Sequence, residues 1–139
     1  MRKIKFRAWL KDAKEIIEVE DIQFKDDKKY QIDNIKLQPK KNQSLIINTK
    51  SARRTEDKIE LMEYIGMEDD NGKEIYEGDI VKVKSGMAYD NYSLIGVITF
   101  SCGSFYINDK PIYELVNDNC SFNVIGNIFE NSELLKMED

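Results

Sequence analysis

From Ile59 to Ile128 the apolar residues come in short runs that alternate with polar ones, and each run ends in turn chemistry. A period of two places successive side chains on opposite faces of an extended chain, so these runs predict strands with one buried face. The expected strands are Ile59–Ile65, Ile80–Lys84, Ser93–Phe100, Ser104–Ile107, Ile112–Val116 and Ser121–Ile128. Between them stand Asn71-Gly72, Glu77-Gly78-Asp79, Ser101-Cys102-Gly103 and Asn108-Asp109-Lys110-Pro111. Asn-Gly readily takes positive φ, and Gly, Asn, Asp and Pro each favour a reversal for a separate steric reason. Short strands with turns about every 8–12 residues argue for a small barrel or sandwich.

The first half is mainly β as well, with weaker punctuation. Ile4–Leu10 alternates apolar and basic residues and puts Ile4, Phe6 and Ala8 on one face. A polar turn at Lys11–Lys14 leads into Glu15–Phe24, where Ile17 and Val19 share one phase and Ile22 and Phe24 the other. The change of phase near Asp21 predicts a bulge or a bend, and the two runs predict a hairpin. From Gln38 to Lys58 the chain is polar apart from Leu45-Ile46-Ile47, which suggests a mobile connection holding one short strand, Ser44–Asn48. Ser132–Lys136 could form a single helical turn.

Charge and glycine divide the chain near the same point. All seven glycines lie between Gly66 and Gly126. Residues 1–58 carry 16 Lys+Arg and 10 Asp+Glu, whereas residues 59–139 carry 5 and 16. The shift predicts an N-terminal β unit with a flexible basic connection, 1–58, and a C-terminal β domain, 59–139. Three uses of the asymmetry stay open: complementary docking within one chain, head-to-tail association of copies, or a basic arm for nucleic acid.

Several function classes fall away. With no histidine in the chain, Ser-His-Asp and Cys-His mechanisms are excluded. Cys102 and Cys120 alone cannot supply a structural zinc site, and no cofactor is expected. An EF-hand with Gly72 at its sixth position would begin at Met67 and end at Gly78, neither of which can ligate as that loop requires, so Glu68–Gly72 reads as a solvated turn. Glu74, Glu77 and Asp79 are close enough in sequence to form a carboxylate pair, but acid–base work needs burial facing a pocket, and surface or turn roles are expected. Phosphate-binding glycine loops are absent. No apolar run is long enough to span a membrane, and the basic start Met1–Arg7 has no apolar stretch behind it. A cytoplasmic protein that binds and does not catalyse is the expectation.

Two sets of residues could do the binding. Tyr89 and Tyr92 lie in a loop, and exposed tyrosines suit protein interfaces because they offer area at low entropy cost. Lys40, Lys41, Lys50, Arg53 and Arg54 form a basic tract that could meet nucleic acid. No aromatic lies between Gln31 and Lys58, which disfavours base stacking there. Asn71, Gly72, Gly78 and Asp79 are expected to be structural turn residues, with Gly78 at positive φ and Asp79 bonded to nearby backbone.

Three segments carry a resemblance to the YopX family of phage and prophage proteins. They are the opening "RKIKFRAW" at Arg2–Trp9, the central "LMEYIGMEDDNGKEIYEGDIVKV" at Leu61–Val83, and the closing "FNVIGNIFENSELL" at Phe122–Leu135. Lys25–Lys58 adds little, and Leu10 stands where such families commonly carry Asp after the tryptophan. The resemblance implies a phage-derived protein with a barrel-like C-terminal β domain, and it implies no activity. In "KEIYEGDIVKV" a Glu-Gly-Asp turn launches an alternating strand, as at the start of an SH3-like barrel. The expected whole is an N-terminal β-hairpin unit and a C-terminal SH3-like small β-barrel. It would act as a homo-oligomer or on a host or phage protein, with nucleic acid as the alternative partner.

Overall fold

The structure, a computed structural model, describes residues 1–26, 30–33, 36–39, 43–49, 53–86 and 92–136. It is mainly β and forms two compact units, Arg7–Leu61 and Met1–Phe6 with Met62–Asp139. Residues 1–6 thus group with the C-terminal part; the Tyr64 amide donates to the Lys5 carbonyl (2.9 Å).

In the first unit the strands are β1 (Phe6–Leu10), β2 (Glu15–Asp26), β3 (Tyr30–Asp33), β4 (Lys36–Pro39), β5 (Gln43–Thr49) and β6 (Arg53–Thr55). A one-turn 3-10 helix, Glu56–Lys58, follows. Four strands lie antiparallel in the order β6-β5-β2-β1, and β3 pairs with β4. The β1–β2 hairpin sets Ala8 opposite Ile17, and the β2–β5 ladder slips between Val19 and Asp21, where the hydrophobic phase changes. A bulge absorbs the extra residue, so Ile22 regains the core face that Ile17 and Val19 occupy. Ala8, Leu10, Ile47 and Ile59 form the core, flanked by Ile17, Val19, Ile22 and Leu61. Two expectations change here. Ile4 is exposed, because β1 begins only at Phe6. The described part of Gln38–Lys58 is regular structure with Ile46 and Ile47 buried, since their side chains serve both faces of β5.

In the second unit β7 (Ile59–Glu68) arrives from the first and pairs with β8 (Glu74–Tyr76). Then come β9 (Asp79–Lys84), β10 (Ser93–Ser101), β11 (Ser104–Ile107), β12 (Lys110–Pro111), α1 (Ile112–Asn117), β13 (Ser121–Asn127) and a 3-10 turn at Ser132–Lys136. The sheet order is β12-β11-β10-β9-β13, all antiparallel. Its inner face supplies Val81, Val83, Ile98, Ile107 and Phe122, which pack with Ile75, Ile112 and Leu115. The β10–β11 hairpin turns on Cys102 and Gly103, both at positive φ, as the twist of a two-residue hairpin demands.

The expected barrel does not close: β12 and β13 remain the two ends of the sheet. The reason is visible at β13. Its outward Val124 amide donates to Asp69 Oδ2 (3.0 Å), and its Phe122 carbonyl accepts from the Asp70 amide (3.0 Å). A turn, in place of a strand, therefore satisfies that edge. Asp69 is consequently buried, 7% exposed, where a solvated acid is the sequence expectation.

Ile112–Asn117 is a helix where alternation predicts a strand. Pro111 precedes it in extended geometry, and Asn119 ends it at φ 56°. The Cys120 amide donates to the Leu115 carbonyl (3.0 Å) and the Asn119 amide to the Val116 carbonyl (3.1 Å), which is the Schellman pattern. Ile112 and Leu115 are three apart and both buried, so Tyr113 and Val116 come to the other side.

Gly78 sits at φ 81° between two paired groups: its amide donates to the Ile98 carbonyl and its carbonyl accepts from the Ile128 amide, each 2.9 Å. A Cβ there would touch Met62 Sδ at 3.4 Å, ordinary contact, so the cost of a side chain is conformational. Gly78→Val is expected to destabilise the protein by about 1–3 kcal/mol, because a β-branched residue is poorly suited to positive φ. A thermal melt matching the parent would refute this placement.

Candidate binding groove

The three clustered acids of the β8–β9 region have separate partners. Glu74 accepts from Lys5 Nζ at 2.7 Å, with Lys3 Nζ 3.7 Å from its other oxygen, and the Lys5 bond holds its carboxyl below the usual range. Glu77 accepts from the Glu63 amide (3.0 Å). Burial pushes the Glu77 carboxyl up; the Glu63 amide opposes this and the Glu63 charge adds to it. Asp79, 1% exposed, accepts from the Tyr76 amide (2.8 Å). None of the three lines either cavity described below. Asp79 is thus the buried first residue of β9, and its carboxylate ties the preceding turn to the Tyr76 amide.

Asn71 and Gly72 also form the expected turn, with Gly72 at φ 79°. Asp69 organises it: Oδ1 accepts from the amides of Asn71 (2.9 Å) and Lys73 (2.8 Å).

Of the basic tract, the structure describes Arg53 and Arg54. Lys40, Lys41 and Lys50 lie outside the described residues. Arg53 and Arg54 are adjacent on β6 and face Asn48 and Ile47 respectively, so their side chains leave opposite faces of the strand. Arg54 is held by Asp12 (Nε to Oδ2, 3.1 Å), and that bond lowers the Asp12 carboxyl pKa. Of the two loop tyrosines, Tyr89 lies outside the described residues. Tyr92 is half-buried with Lys110 Nζ 4.2 Å from its ring centroid, a cation–π contact.

An apolar groove elsewhere in the second unit has the features of a binding surface. Ile65, Gly66 and Met67 of β7 form one wall, Tyr113 and Val116 of α1 another, and Phe105 of β11 the floor, around a cavity of about 320 Å³. Gly66, at φ 94°, lies where the β7–β8 register slips, so the strand turns the residues beside it toward the helix. Tyr113 and Val116 are 59% and 47% exposed. Phe105 meets the exposed Phe100 edge-on, ring centroids 5.1 Å apart, which extends the apolar surface beyond the groove. Glu68 and Glu114 follow Met67 and Tyr113 in the chain. The unit as a whole holds 8 Lys+Arg and 15 Asp+Glu. The groove escapes sequence reading because Tyr113 and Val116 share a face only in a helix. The readable signals were Pro111 before the segment and Asp118-Asn119 after it.

A second, polar cavity of about 210 Å³ lies on the outer side of the sheet. Asp70, Asn71, Lys82, Lys84, Ser121 and Asn123 line it, with Phe122.

The second unit is thus an open antiparallel sheet with one apolar groove and one polar cavity among its described residues. The chain belongs to the YopX protein family, whose match covers residues 5–136. Its fold is similar to the crystal structure of protein EF1440 from Enterococcus faecalis, with a TM-score of 0.57 and 26% identity over 97% of this chain and 99% of that one. No curated protein matches the chain. Among the described residues no helix is long and apolar enough to cross a membrane.

Proposed function

We propose that this chain is a non-catalytic accessory protein of phage or prophage origin, working in the host bacterial cytoplasm by protein–protein contact. The observation that carries the reading is the groove between β7, β11 and α1, with Tyr113 and Val116 held open to solvent. Its volume suits one or two large apolar side chains, and exposed apolar surface rimmed by polar residues marks interaction sites. The acidic balance of the unit selects the flanks of the occupant. The partner is a segment of another protein that presents an apolar anchor with Lys or Arg beside it.

Nucleic acid is the less favoured partner. With the observed boundaries, Arg2, Lys3 and Lys5 fall in the acidic unit, and the other unit holds 13 Lys+Arg against 11 Asp+Glu. The basic half of the sequence is therefore close to neutral as a folded unit.

Selection of a random peptide library on the immobilised full chain tests the reading. Enriched peptides are expected to share an apolar anchor with basic flanks. Val116→Asp is expected to weaken them about tenfold or more, roughly 1.4 kcal/mol, with an unchanged melt because Val116 is substantially exposed. Peptides that bind Val116→Asp equally well would remove the groove from the mechanism. A dimer in sedimentation that Val116→Asp dissociates would make a second copy the occupant. Retention from lysate that nuclease abolishes would favour nucleic acid.

A further inference from the structure

The polar cavity on the outer face of the sheet is a second site, chemically unlike the groove. Lys82 and Lys84 are two residues apart on β9, while Val81 and Val83 point into the core, so both ammonium groups leave by the outer face. Across the ladder Lys82 faces Asn123 and Lys84 faces Ser121. The β7–β8 turn closes the third side. Asn71 is held there by Asp69 through its backbone amide, and its Nδ2 donates to Asn123 Oδ1 at 2.8 Å. With Oδ1 engaged by Asn71, Asn123 has its own amide nitrogen to offer as a donor.

Asp70 sets the charge of the ligand. It lines the same cavity as Lys82 and Lys84, so two bases and one acid stand among the charged lining residues. That balance matches a monoanion. The surplus of acids across the unit, 15 against 8 bases, repels a dianion or a polyanion. The volume, about 210 Å³, limits the bound part to a small group. We infer that Lys82, Lys84, Ser121, Asn123 and Asn71 form a binding site for a single carboxylate. The lysines supply charge-assisted bonds, and Ser121 and Asn123 orient the oxygens. The carboxylate belongs either to a free small acid or to an acidic side chain of a peptide.

Amide chemical shifts of the isotope-labelled full chain, titrated with three probes, test the inference. The probes are sodium acetate, a peptide with blocked ends and one Glu, and inorganic phosphate at pH 8, where phosphate is mainly a dianion. Saturable shifts centred on Asn71, Lys82, Lys84, Ser121 and Asn123 are expected with acetate or with the peptide. The tighter of these two identifies the source of the carboxylate. Lys84→Gln is expected to weaken binding at least about fivefold with an unchanged melt, since Lys84 is exposed and off the core; Lys82→Gln gives an independent second reading. Shifts that grow linearly without saturating, or that persist unchanged in both variants, would overturn the site. Tighter binding of phosphate, or of an oligothymidylate added in its place, would overturn its assignment to a carboxylate.

Discussion

Asp69→Ala is expected to lower the folding free energy by about 3 kcal/mol. Asp69 is one acid with three backbone donors: Asn71, Lys73 and Val124 all donate to its carboxylate at 2.8–3.0 Å. The first two bonds shape the β7–β8 turn, and the third ties that turn to the edge of β13. Hydrogen bonds to a charged group contribute about 1.5–3 kcal/mol each at most, and Asn71 and Lys73 can recover water after the substitution, so the total is less than the sum. Burial pushes the Asp69 carboxyl up, but the amides of Val124, Lys73 and Asn71, helped by the Lys73 charge, outweigh it. The pKa falls below its ordinary 3.8. A carboxyl depressed in the folded state stabilises in full above its unfolded pKa, and the contribution is lost as pH falls through the folded value. Urea unfolding at pH 7 and near pH 2 checks this. The gap between parent and variant should be wide at pH 7 and narrow in acid. An equal gap at both values would show that the charge has no part in the effect.

Asp79→Ala is expected to cost about 2–3 kcal/mol. Asp79 is almost wholly buried, and so is Tyr76, whose amide donates to it. Removing the carboxylate leaves that amide in the interior without its acceptor, beside a small void, and both changes destabilise. Asp79→Asn keeps an acceptor oxygen and should recover part of the loss. Circular dichroism melts of the two variants give the order. If alanine and asparagine are equally damaging, the hydrogen bond to Tyr76 is not what makes Asp79 important.

These two residues mark how far the chain could be read before its structure. The strands of the second unit were legible because one face of each is buried, and burial of one face writes a period of two into the sequence. The slip at Asp21 was legible for the same reason, since a bulge exchanges the faces and the apolar residues must follow. Gly72 and Gly78 could be placed because glycine, lacking a Cβ, takes positive φ at no steric cost. The family match over residues 5–136 agrees with the resemblance carried by the opening, central and closing segments.

Other features depend on groups distant in the chain. Whether Asp69 meets water or Val124, 55 positions away, is decided by the edge that β13 presents to the turn. The barrel stays open because a side chain and a turn amide, rather than another strand, satisfy that edge. At α1 the local pattern suited either period, and the helical choice rested on core positions for Ile112 and Leu115 and on the left-handed residue Asn119. That choice placed Tyr113 and Val116 beside Ile65 and Met67. Sequence by itself determined the faces of most strands and the glycine turns, because those are set by neighbours within a few residues. Only the tertiary structure decided which acids are buried and where the groove opens, because both depend on which distant backbone and side-chain groups the fold brings into contact.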